Sequence, residues 1–189
     1  MTRMKLLLYC EKAIPYLYRK DDDSFELSTK IKYEDISDYK KYYGLNNGKI
    51  VAECDYEVEE IFEELYGDID WQHDYLPTTN TMSIVNLERE SCLSREELYD
   101  YCNGYAIHIK NLHIFDEPRE LSNYHISYFN KEFNMMREKH IEKAPRNMCR
   151  AFDIKDNYIL ISIQPQWLCK ILNGEKTVEI RKKVLKGML

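Results

Sequence analysis

The stretch YILISIQPQWLCKILNGEKTVEIRKK, residues 158–183, is the most informative part of the sequence. Its first residues alternate around apolar positions (ILISI), which predicts a strand that ends before Pro165. A short run with apolar residues at helical spacing follows and stops at Asn173. The run TVEIRK then alternates again, so a second strand is predicted over residues 177–182. Strand, helix, strand is an order typical of the beginning of a domain.

A weaker version of the same pattern lies at the N-terminus. Residues 4–9 (MKLLLY) form an apolar run of strand length, and the following EKAIPYLYRK has apolar residues at helical spacing. The GEKTVEIRK segment has no counterpart there, because a polar stretch beginning at Asp21 follows. We therefore predict one domain over residues 1–153, with an acidic helical insertion, and a partial second opening over residues 154–189. Because a strand, a helix and a strand cannot bury an apolar face alone, this opening is predicted to pack on the first domain, within one chain or across a homodimer.

Several segments carry a resemblance to a known family. The segment SIQPQWLCKILNGEKTVEIRKK resembles the opening motif of ASCH domains, members of the PUA-like superfamily, in which a strand ending in proline and a helix precede G-E-K-T-x-E-x-R. Residues 46–61 and 104–121 are similar to later strands of these domains, especially of phage-encoded versions, and KAPRNMC (residues 143–149) resembles their closing motif. The resemblance implies an α+β fold built on a small PUA-like β-barrel with surrounding helices.

The rest of the chain is predicted to mix short strands with helices. The predicted strands cover residues 5–9, 49–55, 105–110, 112–115, 158–163 and 177–182. The predicted helices, besides the short run before Asn173, cover residues 12–19, 57–66, 94–101 and 123–141. Ser94 is the expected N-cap of the 94–101 helix, since Glu97 completes a capping box. The turn-rich segment 67–80 is predicted to be a surface loop.

Composition excludes several classes of protein. A chain of 189 residues is long enough for one well-buried core and short for two average domains. No apolar run approaches the roughly 20 residues that span a bilayer, so no membrane association is predicted and a cytoplasmic location is expected. The six cysteines include no C-x-x-C pair, which favours reduced thiols and predicts neither a metal site nor a redox dithiol. No cofactor is predicted.

The charge is divided along the chain. The net charge is −6, but Glu53–Asp100 contains 15 acidic and 2 basic residues, a balance of −13, which leaves 18 acidic and 25 basic residues, +7, for the remainder. The acidic block is either an ordinary solvated surface or a surface that imitates a phosphate backbone toward a basic partner. The basic remainder includes clusters at Arg137–Arg150 and Lys176–Lys186.

A nucleotide-binding site is predicted on the second alternating run. Strand alternation puts Thr177, Glu179 and Arg181 on one face. Lysine offers a point charge to phosphate, arginine a planar fork of donors, and glutamate an acceptor for an exocyclic amine. With the ASCH resemblance, these properties predict nucleotide or nucleic-acid contacts from Lys176, Thr177, Glu179, Arg181, Lys182 and Trp167. The alternative is that the charges form ordinary cross-strand pairs on an exposed edge strand.

The aromatic segment inside the predicted loop is a second candidate surface. Trp71, His73 and Tyr75 lie close together in the sequence and are the predicted partner-binding residues. Aromatic side chains beside a histidine on an exposed loop stack on unpaired bases, and tyrosine is also enriched at protein–protein interfaces. Both interpretations remain open at this point.

Three functions therefore compete. The first is a nucleotide- or RNA-binding module, and the second is a phage counter-defence protein that binds and inhibits a host nucleic-acid-handling system such as a CRISPR effector. The third is a hydrolase of a modified nucleoside, since some small ASCH-like enzymes deacylate modified cytidine with a lysine, a threonine and a glutamate. Lys176 matches that lysine, but Glu179 stands where the threonine nucleophile would be. No catalytic residue is therefore predicted, and RNA or a nucleotide is the expected ligand.

Overall fold

The computed structural model describes residues 4–10, 17–19, 22–27, 48–66 and 74–189, with backbone alone for residues 17–19, 66 and 74. Twelve strands and three α-helices lie in these ranges. The strands are β1 (Lys5–Cys10), β2 (Leu17–Arg19), β3 (Phe25–Leu27), β4 (Lys49–Glu60), β5 (Phe62–Tyr66), β6 (Asp74–Thr78), β7 (Tyr105–Glu120), β8 (His125–Asn130), β9 (Met135–His140), β10 (Met148–Phe152), β11 (Asn157–Ile163) and β12 (Val178–Arg181). The helices are α1 (Ile84–Ser91), α2 (Arg95–Tyr99) and α3 (Pro165–Leu172).

Eight strands form one mixed sheet in the order β12-β7-β4-β1-β11-β10-β8-β9. Strands β1 and β11 are parallel, whereas β1 and β4, and β10 and β11, are antiparallel. Two further pairs, β2 with β3 and β5 with β6, form separate small sheets. The predicted α+β class is confirmed. Within the described ranges the strand order is open at β12 and β9, and no closed barrel is found.

The first of two compact units contains Met1–Asp55 and Asn111–Asn173. Its central strands are β1 and β11, whose apolar runs LLLYC and YILISI are almost wholly buried. Because successive side chains point to opposite faces of the sheet, both faces are covered here, as is typical of parallel strands. Helix α3 begins at Pro165 after an extended Gln164, as expected for a proline in the first turn. The core of this unit contains Leu7, Tyr9, Ile50, Phe115, Leu121, Tyr124, Ile141, Ala151, Tyr158 and Leu160.

The second unit contains Tyr56–Lys110 and Gly174–Leu189. Strand β12 pairs antiparallel with the first residues of β7, and its Val178 and Ile180 enter a core that α1 and α2 also line. Helix α2 begins after Ser94, which forms the predicted capping box with Glu97, so this helix and its cap are confirmed. In the part of the chain that the structure describes, no helix is long and apolar enough to cross a membrane.

The helix predicted over residues 57–66 is wrong. Strand β4 continues to Glu60, and β5 follows after Ile61. The apolar spacing of Val58, Ile61 and Phe62 fits a helix in isolation, but β-branched and aromatic residues also suit a half-buried sheet. Pairing of β4 with β7 and of β5 with β6 decides the outcome.

The helix predicted over residues 123–141 is also wrong, because this segment is the β8–β9 hairpin. The prediction missed the turn chemistry between the strands. The Asn130 side-chain Oδ1 accepts hydrogen bonds from the backbone N–H groups of Glu132 and Phe133, at 3.0 and 3.2 Å. Asn134 takes a left-handed conformation at φ 49°, which asparagine tolerates better than most residues. Together these two asparagines reverse the chain.

Smaller corrections concern three other segments. The predicted strands over residues 105–110 and 112–115 are one strand, β7. Within the predicted helix over residues 12–19, the last three residues form β2, and the rest lies outside the described residues. Within the predicted loop over residues 67–80, the segment Asp74–Thr78 is β6. The other predicted strands and α3 are confirmed.

The C-terminal segment is part of the main sheet. Strand β11, which the sequence places in a second opening after residue 153, pairs in parallel with β1 from Lys5 to Cys10. Helix α3 belongs to the first unit. There the Asn173 Oδ1 accepts from the Phe25 backbone N–H at 2.7 Å, and the Asn173 Nδ2 donates to the Phe25 carbonyl oxygen at 2.8 Å. The GEKTVEIR run, by contrast, belongs to the second unit.

Candidate nucleic-acid interface

The β8–β9 hairpin presents exposed aromatic and basic side chains in the first unit. Opposed residues of an antiparallel pair lie on the same face, and the register opposes Tyr128 to Arg137 and Ile126 to Lys139. Ile126 packs against the core of the unit, so this face continues outward from the core toward the turn. We call this side of the hairpin its basic face.

Two cations lie over two aromatic rings on the basic face. The Arg137 guanidinium carbon is 4.2 Å from the centroid of the Phe133 ring, and the Lys139 Nζ is 5.4 Å from the centroid of Tyr128. Such cation–π contacts hold a positive charge against a ring without neutralising it. The basic face therefore combines flat apolar surface with charge that remains available to an anion.

The hairpin is also unusually apolar for an exposed ribbon. All six side chains of β9 are exposed. Phe129 and Phe133 are each 54% exposed, and Met135 and Met136 are 50% and 59% exposed. Exposed apolar side chains on a protein surface are ordinary when scattered, but a contiguous group often marks a binding surface.

The opposite face of the hairpin carries a histidine pair. The rings of His125 and His140 have centroids 4.0 Å apart, and His125 also stacks on Phe152 at 5.6 Å. The His140 Nδ1 donates to the carbonyl oxygen of Ser122 at 2.6 Å when protonated at that nitrogen. Phe129 and Met136 are opposed on this same face. The two faces thus differ in charge, because Arg137 and Lys139 lie only on the basic face.

The GEKTVEIR run has a different environment, in the second unit. The Lys176 side chain is 2% exposed, and its Nζ donates to the carbonyl oxygen of Ser91 at 2.5 Å. The same Nζ lies 3.5 Å from Glu179 Oε2, and the Arg181 Nη2 lies 2.9 Å from Glu179 Oε1. The structure therefore brings together three of the predicted site residues as one largely buried charge cluster.

Helix α1 explains why a lysine is stable inside this unit. Ser91 is the last residue of α1, where carbonyl groups lack helical partners and the helix dipole favours a cation. Burial lowers the pKa of Lys176 below its usual value, while the charge of Glu179 and a hydrogen bond to it act in the opposite direction. The cluster holds β12 against α1, since the Thr177 N–H also donates to the Glu90 carbonyl oxygen at 2.9 Å.

The remaining predicted site residues are not in that cluster. The exposed Thr177 donates its hydroxyl to Glu90 Oε2 at 3.1 Å. Lys182 is exposed, with its Nζ 5.8 Å from the centroid of the Tyr101 ring. Trp167 belongs to α3 in the first unit, where Lys170 Nζ lies 5.3 Å from its ring centroid.

Of the predicted partner-binding residues, only Tyr75 is described. It lies on β6 with its side chain exposed, and its carbonyl oxygen accepts from the Tyr99 hydroxyl at 2.8 Å. Trp71 and His73 lie outside the described residues.

A polar cluster around Glu59 in the second unit has no sequence signal. Glu59 Oε2 accepts from the hydroxyls of Thr79 and Thr81 at 2.8 and 2.7 Å and lies 2.8 Å from Nε2 of His108. Burial alone would raise the pKa of this carboxyl group, but the hydrogen bonds from Thr81, Thr79 and His108 outweigh it and hold the pKa below its usual value. Because 49 residues separate Glu59 from His108, only the fold reveals the pair.

Within the ranges that the structure describes, no group of three or more His, Cys, Asp or Glu side chains could hold a metal ion. Comparison of the chain with protein-family models, with curated proteins and with solved structures finds no match.

Proposed function

We propose that this chain is a nucleotide- or RNA-binding module and that the basic face of the β8–β9 hairpin is its contact surface. One observation supports this proposal above the others, namely the two cation–ring pairs of Arg137 with Phe133 and Lys139 with Tyr128 on one exposed face. Protein surfaces that bind nucleic acids combine cations, which contact the phosphates, with aromatic rings on which bases stack. Both features occur here within one hairpin.

The buried residues of the GEKTVEIR run fit a structural role better than direct contact with a ligand. Glu179 is engaged by Lys176 and Arg181, so its carboxylate already has two cationic partners inside the second unit. Thr177 and Lys182 are exposed and could add contacts to a ligand. We therefore propose that the buried cluster shapes the second unit, and that ligand contacts from the motif come from its exposed residues.

The ASCH and PUA-like resemblance is part of the same proposal. The α+β class agrees with it, and the small barrel is its finer structural expectation. An experimental structure of the whole chain tests this expectation. A closed barrel would support the resemblance, and an open sheet would contradict it.

Binding is tested with a fluorescent 12-nucleotide RNA at several salt concentrations. The double variant Arg137→Gln/Lys139→Gln removes both cations of the basic face and is expected to weaken binding at least tenfold at low salt. The matched control is Arg89→Gln/Lys155→Gln, which removes two exposed cations elsewhere. Absence of RNA binding by the unaltered protein at low salt, or an equal loss in the control, would contradict the proposal.

A protein partner is the second candidate, and one region of the structure favours it. The β5–β6 pair exposes Glu63 and Glu64 beside the apolar side chains of Phe62, Leu65 and Tyr75. An acidic surface with apolar side chains suits a basic protein surface, as a counter-defence protein directed at a host nucleic-acid-handling system would require. A protein that binds no RNA but copurifies from host cells with a nucleic-acid-handling enzyme would favour this candidate over the first.

A further inference from the structure

We propose that the β8–β9 hairpin selects single-stranded nucleic acid, and that stacking of unpaired bases on its basic face supplies more of the affinity than phosphate contacts do. This inference rests on the proposed function and specifies the ligand of the same site. It is carried by three features of the hairpin, namely its charge balance, its exposed apolar side chains and the arrangement of its cations.

The charge balance of the hairpin limits what phosphates can contribute. Residues 125–143 contain four cations (Lys131, Arg137, Lys139 and Lys143) and three carboxylates (Glu132, Glu138 and Glu142), a net charge of only +1. A surface that bound chiefly by counterion release would need more cations and fewer carboxylates at its centre. Glu138 lies between Arg137 and Lys139 in β9, on the opposite face. Affinity for the sugar–phosphate backbone is therefore expected to be modest.

The exposed apolar side chains of the basic face suit a partner with free flat surfaces. Phe133 is 54% exposed, and Met135, which is opposed to Asn130 on the face of Tyr128 and Arg137, is 50% exposed. Bases of a duplex are already stacked on one another, and the deep groove of an A-form RNA helix is too narrow for a protein ribbon. A B-form major groove admits a two-stranded ribbon, but it would present base edges rather than ring faces to these side chains. Unpaired bases offer both faces.

The two cations are placed so that they contribute to base stacking as well as to the attraction of phosphates. Arg137 lies against the Phe133 ring, and a planar guanidinium presents a flat surface of its own together with donors for phosphate. Lys139 lies over Tyr128 in the same way, with a compact charge. Because each ring has a cation on one side, a base that covers either the ring or the guanidinium lies within reach of a positive charge. Two such pairs on one face suit two neighbouring nucleotides.

The first test compares three fluorescent ligands that carry the same phosphates per strand: a 12-nucleotide RNA without internal pairing, the 12-base-pair duplex of the same sequence, and a 12-unit abasic strand. We expect the single strand to bind at least tenfold more tightly than either of the others. The logarithm of the affinity should change with the logarithm of salt concentration by a slope of about −2, the value for roughly three phosphate contacts to a single strand.

The outcomes separate this inference from the proposed function. Equal affinity for the duplex or for the abasic strand would overturn base stacking and leave the nucleic-acid function intact. No binding of any of the three ligands would overturn both. A steep salt slope with tight abasic binding would show that phosphates dominate, which also contradicts the inference.

The second test uses two phenylalanines of equal exposure on opposite faces. Phe133→Ala is expected to weaken binding of the single strand roughly 5- to 150-fold, the range for loss of one stacked base. Phe129→Ala, on the histidine face, is the matched control and is expected to change the affinity less than twofold. Circular dichroism and unfolding midpoints of both variants verify that the hairpin is intact. Equal losses in the two folded variants would remove the assignment to the basic face.

Discussion

The β8–β9 hairpin and the GEKTVEIR run are built from the same charged residue types and use them in opposite ways. In the hairpin, Arg137 and Lys139 lie over aromatic rings on an exposed strand. In the GEKTVEIR run, Lys176 and Arg181 surround the buried carboxylate of Glu179. Charge in the first region is available to a ligand, whereas charge in the second is engaged within the protein.

The difference comes from where each strand lies in its unit rather than from its composition. Strand β12 places Val178 and Ile180 in a core that α1 also lines, and Glu179 on its other face is buried as well, so a charge there needs a partner. Strand β9 has six exposed side chains, so water solvates its charged groups. A basic motif in a sequence therefore identifies a binding surface only when the fold leaves it exposed.

Protein stability should distinguish the two regions most strongly. Glu179→Ala removes the shared carboxylate and leaves two cations side by side, so the free energy of unfolding should fall by about 3–5 kcal/mol. Glu138→Ala removes an exposed carboxylate from β9 and should change it by less than about 0.5 kcal/mol. Urea denaturation of both variants measures the contrast. If the two variants lose similar stability, the distinction between engaged and available charge is wrong.

A smaller effect tests how tightly β12 is held beside β7. A methyl group on Gly104 would lie 2.7 Å from the carbonyl oxygens of both Arg181 and Tyr101. These are backbone atoms, which cannot rotate away as the end of a side chain can. Gly104→Ala should therefore cost about 1–3 kcal/mol. Gly174 is the contrasting glycine, since nothing lies near its added methyl but its φ is +76°. Gly174→Asn, which tolerates that conformation, should cost less than about 1 kcal/mol.

Urea midpoints of these two glycine variants decide whether close packing or backbone conformation governs the stability of this part of the second unit. A smaller loss of stability in Gly104→Ala than in Gly174→Asn would show that β12 shifts freely. In that case the buried charge cluster could not depend on a fixed strand position.

The fold was predictable where the periodicity had one interpretation. The run LLLY and the run ILISI are too short and too β-branched or apolar for an exposed helix, and both are central strands. The capping box at Ser94 also identified a helix of only five residues. The segment over residues 123–141 failed because its apolar spacing fits a helix, while the decisive signal was the pair of asparagines at 130 and 134.

The candidate site was predictable only in part. Sequence reasoning placed Lys176, Glu179 and Arg181 among six ligand-contact residues. The structure brings these three together because they lie within one short run, but burial of the cluster depends on the distant Ser91. The helix prediction prevented recognition of the basic face. Tyr128 lies opposite Arg137 only because the chain reverses and forms a hairpin between them. A search for alternating aromatic and basic residues around an Asn-bounded turn would have found it.

The Glu59 cluster is a second place where the fold engages a charge internally, and its contribution to stability is expected to be weaker. The folded protein holds the pKa of Glu59 below its usual value, so this group stabilises the fold above the unfolded-state pKa of about 4.3, and the contribution is lost as pH falls through the lower folded-state pKa. Thr81→Val removes one hydrogen bond to the carboxylate and should cost about 1 kcal/mol at pH 7. Thr81→Ser keeps the hydroxyl and is the matched control. Urea midpoints at pH 7 and pH 3 should show the valine deficit shrinking in acid, because a protonated Glu59 has less need of the donor; a deficit of the same size at both pH values would mean that Thr81 acts through packing rather than through the charge.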